Sequence, residues 1–319
     1  MIIAGPRFLP RPDAHAAVTP PFILVVFNRP RHTARLLEQL AVVRPRRLLV
    51  VADGPRADRP GEREAVADVR RSLDRIPWPC DVDRNYSEQN MGCRARVASG
   101  LTWAFSLVDE AIILEDDISF DPTFVRYCEE LLERYRDDHR IGSISATDYS
   151  AGSQPGPASY WFSRYNLFWG WATWKRAWSL YDDEMRCLSA GGPDGIDAIL
   201  RRTFGLWRER TYWHSIMRRT HSGDRDSWGY RWLLSCWQHG LLGIQPAWSM
   251  ADNRGFGFES THTRNDPYRL AAARPMAFPL RHPANVARNV VGDRAIEDRA
   301  FSKDVANRLA WMARRVFGR

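Results

Sequence analysis

Seven residues, Ala111-Ile112-Ile113-Leu114-Glu115-Asp116-Asp117, constrain this chain more than any other stretch, because four apolar side chains run straight into three carboxylates. An apolar run of that length suits a strand covered on both faces. Acids at its C-terminal end then face the crevice where open α/β sheets bind ligands. Adjacent carboxylates repel one another unless a cation sits among them, and hard oxygen donors at a strand end suit Mg²⁺ or Mn²⁺ carrying a phosphate. The competing reading is a solvated acidic turn, and the triplet alone does not separate the two.

The residues around this run read as an α/β chain. Apolar segments at 22–27, 46–53, 111–116 and 141–146 alternate with helical segments at 31–42, 61–75, 92–108 and 122–136, which is how βαβ units with a mostly parallel sheet appear in sequence. Within these helices Val97, Leu101, Ala104 and Val108 recur at helical spacing, as do Phe124, Cys128, Leu131 and Tyr135. Asp121-Pro122 makes a cap followed by proline at the start of the fourth helix. The segmentation predicted is a nucleotide-binding half over 20–150, an aromatic, mostly helical acceptor half over 151–265, and a C-terminal extension over 266–319. Of the 14 tryptophans, 11 lie between Trp161 and Trp248, so the second half differs in character from the first.

Composition narrows the function. The chain has 319 residues, 44% of them apolar, enough to bury a full core. No apolar run approaches the roughly 20 residues needed to span a bilayer, and prolines interrupt the N-terminus before a signal-peptide core could form. A cytoplasmic location is therefore expected. Five cysteines, widely spaced and without CxxC pairs, suggest neither a disulfide frame nor a zinc site. The net charge of +8 rests almost wholly on arginine, since lysine occurs only at Lys175 and Lys303. Coding bias is one source of such a skew, but guanidinium groups grip phosphate oxygens in pairs, so it still favours a phosphate ligand; no nucleic-acid partner is expected. Over 298–319, Val305, Leu309, Met312 and Val316 share a face among Arg308, Arg314, Arg315 and Arg319. Such a basic amphipathic helix packs on its own domain, the commoner use, or lies on an anionic membrane, which would place the protein at the inner membrane face.

Further polar groups gather at the same sheet edge. The first strand runs into Phe27-Asn28-Arg29-Pro30 and the second into Ala52-Asp53-Gly54-Pro55. Asp53 suits either hydrogen bonding to a pyrimidine or ribose, or a turn before glycine. In Gln89-Asn90-Met91-Gly92-Cys93-Arg94-Ala95-Arg96 a turn opens a helix whose first turn carries two arginines. A helix N-terminus disfavours cations, so these arginines require a phosphate or another acid beside them.

In this order the segments PFILVVFNRPRHTARLLEQL, VVADGPR, EQNMGCRARV, AIILEDDISFDPTFVRYCEELLERY, FSRYNLFWGWATWKRAW and SWGYRW resemble bacterial nucleotide-diphospho-sugar transferases of the GT-A fold, of the glycosyltransferase family 2 type. More distantly they resemble N-acetylglucosaminyltransferase I. The resemblance spans about residues 20–265. It implies a Rossmann-like, mixed, mostly parallel sheet flanked by helices, a DxD-type acid motif holding Mn²⁺ or Mg²⁺ against a UDP-linked sugar nucleotide, and inverting transfer to an acceptor hydroxyl. The acceptor implied is a glycan or a lipid-linked glycan of the cell surface.

Carried over onto this chain, the resemblance makes Asp117 the direct metal ligand, with Glu115 and Asp116 nearer the ribose and donor sugar. Asp53 takes the uracil side, Asn28 joins the donor set from the first loop, and Arg94 lies near the diphosphate with Arg96 as a second candidate. Trp169, Gly170 and Trp171 fall beside donor sugar and acceptor, where aromatic faces stack on a pyranose. Core packing is the alternative for these rings, and the stronger one for Trp174 and Trp178 at helical i, i+4 spacing. The base on the acceptor hydroxyl is Asp226, with Asp224 in reserve, although some relatives carry their Asp where this chain has Gly229; helix capping is the alternative for both. His262, in a segment resembling the family's closing loop, completes the metal shell or is a surface residue. Two other functions remain open. A nucleotidyltransferase would show a Gly-rich phosphate loop after the first strand, which FNRPRHT lacks, and a non-catalytic carbohydrate-binding protein leaves the acid triplet unexplained.

Overall fold

The computed structural model describes residues 19–150, 152, 156–255 and 272–301. His262 and most of the expected C-terminal helix lie outside the described residues. The first half begins with β1 (Phe22–Val26), α1 (Pro30–Val43), β2 (Arg47–Ala52), α2 (Glu62–Leu73), β3 (Asp81–Tyr86) and α3 (Cys93–Leu107). It continues through β4 (Glu110–Glu115), β5 (Ile118–Phe120), α4 (Thr123–Arg134) and β6 (Ile141–Ser145). Every strand and helix expected in this half is present within about two residues of its predicted bounds. The edge strand β3 is an addition: its DVDRNY sequence is charged and partly exposed, so it has no apolar pattern to announce it.

The second half is less helical than its composition suggested. It holds β7 (Tyr160–Ser163), β8 (Trp171–Trp174), α5 (Lys175–Trp178), α6 (Ile196–Thr203), α7 (Trp207–His221), α8 (Trp228–Gln238), β9 (Leu242–Pro246), β10 (Ala251–Asn253) and α9 (Val290–Ile296). Trp174 ends a strand and Trp178 lies in the helix that follows, so their spacing is not that of a single helix; both are buried.

Eight strands form one sheet in the order β3-β2-β1-β4-β8-β6-β9-β7. The first four are mutually parallel, β8 is antiparallel to both its neighbours, β6 and β9 are parallel, and β7 closes the edge antiparallel. This is the α/β, mostly parallel, Rossmann-like sheet flanked by helices that the sequence predicts. Period-2 alternation divides its buried residues between two layers. Leu24, Val50 and Leu114 pack under α1, α2 and α4, while Ile23, Leu49, Val51 and Ile113 pack under α3, α5 and α8. A third cluster, built on Tyr165, Phe204, Trp213 and Trp237, joins α6, α7, α8 and the end of α9. The aromatic wealth of the second half is therefore largely core. No described helix is long and apolar enough to cross a membrane.

Register decides where the polar loops go. Val25 pairs with Glu115 and Val26 with Ala52, so the ends of β1, β2 and β4 lie side by side at one sheet edge. The loop from β3 into α3 arrives at the same edge, because β3 runs parallel to β2.

Candidate functional site

The acid triplet leaves the end of β4 under tight backbone control. Asp116 N–H donates to the Val25 carbonyl at 3.1 Å, and the Asp117 carbonyl accepts from Arg254 N–H at 2.7 Å. The small antiparallel sheet of β5 and β10 holds the second of these contacts in place. Between the acids stands Arg29, from the loop after β1, 3.0 Å from Asp117 Oδ2 and 3.4 Å from Asp116 Oδ1. The sequence places Arg29 in the polar loop after β1 without assigning it a role; the arrival of that loop at the same strand edge is the signal that marks it. A cavity of about 330 Å³ opens beside Asp116 and Asp117, walled by His32, Arg35 and Gln39 of α1 and by Arg254.

One guanidinium does not neutralise three carboxylates. Burial, with repulsion from Asp117 and Asp116, lifts Glu115 to about 8, and burial with repulsion from Asp117 lifts Asp116 to about 7. Asp117 Oδ1 is buried and has no hydrogen-bond partner. Among the described residues no group of three or more His, Cys, Asp or Glu side chains forms a metal-holding set. An all-protein cage is thus not what these residues build. They do fit a divalent cation of the Mg²⁺ or Mn²⁺ kind, which is commonly held by one or two carboxylates and completed by substrate phosphates. Asp117, with its orphaned oxygen, is the residue that would hold it, backed by Glu115 and Asp116.

This electrostatic tension has a measurable consequence. Glu115 and Asp116 bind protons more tightly folded than unfolded, so their stabilising contribution is complete below their unfolded values and is lost as pH climbs through about 7 and about 8. The metal-free protein is expected to lose about 5 °C in Tm between pH 6 and 8.5, and Mn²⁺ to restore much of it. A chain of net charge +8 would otherwise gain stability here as its self-repulsion falls, so a flat or rising melting curve would contradict the assignment.

Three residues predicted to contact the donor have other occupations. Asp53 is buried, and its two oxygens accept from the backbone N–H groups of Gly54, Met91 and Gly92 and from Asn90 Nδ2, all within 2.9–3.1 Å. Four accepted bonds use all its lone-pair directions, so Asp53 shapes the 88–92 loop and offers a nucleobase no free acceptor. Asn28 donates to Glu62 at 2.8 Å, and Glu62 also accepts from Arg56, a pair absent from the sequence-based set. Arg96 is buried and donates to both the backbone carbonyl and side-chain oxygen of Asn85, tying α3 to β3. Neither arginine of the α3 first turn lacks an acid or carbonyl partner, but only Arg94 reaches the surface of the site.

Arg94 joins the two halves of the chain. Its Nε donates to Asp226 at 2.9 Å and its Nη1 to Asp183 at 2.5 Å, which supplies the acids that a cation at a helix start requires. Asp183, not singled out from the sequence, also accepts from Tyr181 at 2.9 Å and lies 3.5 Å from Arg231. Asp226 does not cap α8, because the Ser227 side chain accepts from Tyr230 N–H in that role. Asp226 is instead exposed and held against the start of α3; Asp224 is exposed in the same turn. Cys93 marks the point where these groups converge. Although Cys93 is exposed, partial desolvation by the surrounding protein and then the charges of Glu115, Asp226, Asp53 and Asp117 push its thiol up.

Gly229 stands where close packing leaves no room for a side chain. A Cβ there would lie 2.3 Å from the ring of Phe168, which itself packs on Trp228 with ring centres 4.7 Å apart. No carboxylate fits at this position unless that pair moves. Gly229→Ala is expected to destabilise the protein by about 1–3 kcal/mol through overpacking. An ordinary helical glycine would give the opposite sign, a gain of about 1 kcal/mol, so a thermal melt separates the two.

The tryptophan segment is mostly interior. Trp171 is 1% exposed, stacked on Trp228 and packed against Trp232, so its ring presents no face to a sugar. Gly170 adopts φ +66° where a Cβ would press on Ala146, Ala251 and Ile118; its freedom serves close packing, not ligand approach. Trp169 is partly exposed, with its ring 5.4 Å from that of Tyr149.

No family model and no curated protein matches this chain. Among solved structures it is similar to the mannosyltransferase PcManGT from Pyrobaculum calidifontis in complex with GDP-Man and Mn²⁺, at 12% identity and TM-score 0.31 over 69% of each chain. It is also similar to a putative glucose-1-phosphate thymidylyltransferase from Bacillus anthracis in complex with a sucrose, at 9% identity and TM-score 0.27, over 62% of this chain and 83% of that one. At these TM-scores neither likeness carries an argument about substrate or reaction.

Proposed function

We propose that this chain is a glycosyltransferase that moves a sugar from a nucleotide-diphosphate donor, UDP-linked in the first instance, to an acceptor hydroxyl with inversion. The observation that supports it most is the cluster at the end of β4: three carboxylates, one orphaned buried oxygen on Asp117, and Arg29 and Arg94 within the same loop edge. A divalent cation held there would help neutralise the diphosphate as it departs. Arg29 and Arg94 then grip phosphate oxygens and fix the donor's orientation. Asp226 accepts the proton of the acceptor hydroxyl as its oxygen bonds to the anomeric carbon and the bond to the diphosphate oxygen breaks on the opposite face. The acceptor, by family resemblance, is a glycan or lipid-linked glycan used in building the cell surface.

A thermal-shift screen of nucleotide sugars with and without Mn²⁺ tests this, since a ligand that binds only the folded state raises Tm by mass action. The expected result is a shift that needs both components, followed by release of nucleoside diphosphate when an acceptor is supplied. Release of pyrophosphate from a nucleoside triphosphate and a sugar phosphate would make the protein a nucleotidyltransferase instead. Binding of free glycans without metal or nucleotide would leave only a carbohydrate-binding function.

A further inference from the structure

Six large apolar side chains stand exposed among the described residues; one of them, Trp207, lines a groove with Arg294 of α9, the helix that carries two more, Val290 and Val291. Trp207, at the start of α7, is 71% exposed and shares a groove of about 390 Å³ with Leu206, Arg208 and Arg294. Val290 and Val291, 60% and 59% exposed, precede Arg294 on α9 by four and three residues and so share its side of the helix. Isolated exposed valines need no explanation; a tryptophan and two valines around the same arginine do.

Charge is sorted across these two helices. Glu209 of α7 is buried against Arg164, and Asp293 of α9 is buried against Ser163 and Arg288. These two acids therefore face inward and are already matched, while Asp298, on the turn that continues α9, is exposed. Arg208 and Arg294 face outward and make no side-chain hydrogen bond or ion pair among the described residues. An exposed indole, flanking aliphatic groups and unneutralised guanidiniums are the chemistry that seats a protein at a lipid headgroup layer.

We propose that the surface formed by the start of α7 and the outward face of α9 is a peripheral docking surface for an anionic lipid bilayer. This stands apart from the transferase reading and does not depend on it. The test is co-sedimentation of the full chain with vesicles of neutral lipid and with vesicles containing about one third anionic lipid, at low and high salt. The wild-type protein is expected to bind the anionic vesicles alone and to leave them at high salt. The double variant R208E/R294E should weaken binding at least tenfold, and Trp207→Ala severalfold, with Tm unchanged because both sites are exposed. Val42→Ser, on an exposed valine of α1, should have no effect. Failure of the wild type to bind anionic vesicles, or equal binding by R208E/R294E, would overturn the proposal. So would concentration-dependent dimerisation abolished by Trp207→Ala in the absence of vesicles, which would assign the patch to a second copy of the chain.

Discussion

Asp117→Asn is expected to remove metal-dependent nucleotide-sugar binding, raising the Kd measured with Mn²⁺ by about a hundredfold or more while leaving any metal-independent binding in place. The substitution keeps the side chain's shape but takes one hard anionic donor from a site that offers only one or two. The fold should survive. The Asp117 carbonyl keeps its bond from Arg254, and the charge that is lost is repelled by Glu115 and Asp116, unpartnered at Oδ1 and paired at Oδ2 with Arg29, which keeps its contact with Asp116. Indeed, with less repulsion on Glu115 and Asp116, the metal-free variant should melt at a higher temperature than wild type above pH 8. Calorimetric titration of nucleoside diphosphate with and without Mn²⁺ provides the measurement. An unchanged metal dependence would move the cation away from β4 altogether.

Asp226→Asn should separate binding from chemistry. Transfer is expected to fall by about 10²–10⁴, because the amide cannot take the acceptor's proton. Nucleoside diphosphate binding should strengthen severalfold at the same time. Arg94 is shared between Asp226 at 2.9 Å and Asp183 at 2.5 Å, so a diphosphate must compete for it, and weakening one competitor favours the ligand. Arg94→Ala should accordingly weaken the diphosphate much more than the bare nucleoside. If Asp226→Asn loses affinity for the donor, Asp226 is a donor contact; if transfer persists, the proton goes to Asp183 or Asp224.

What could be foreseen and what could not divides along the range of the interactions. Strands β1, β2 and β4 and helices α1 to α4 were legible because their apolar residues recur at period 2 or 3.6, a property of neighbouring residues alone. The acid triplet was legible for the same reason: a buried strand that ends in three carboxylates states its own problem. Strand β3 was not, since an edge strand need bury little. The roles of Asp53, Arg96 and Trp171 were not either, because each depends on a partner that the local pattern leaves unspecified. Asp53 folds the 88–92 loop around itself, Arg96 reaches across to Asn85, and Trp171 is enclosed by Trp228 and Trp232 from a helix more than fifty residues away.

Local patterning in the chain specifies a Rossmann-like sheet and puts the carboxylates, the FNRP loop and the α3 arginines at the ends of successive elements. Tertiary structure alone decided which of them meet: Arg29 stands among the acids, and Arg94 ties Asp226 and Asp183 to the first half. The reason is physical. Element formation follows from short-range sterics and periodic burial, whereas the pairing of charges 87 to 132 residues apart follows from sheet register and from which buried groups must find a partner.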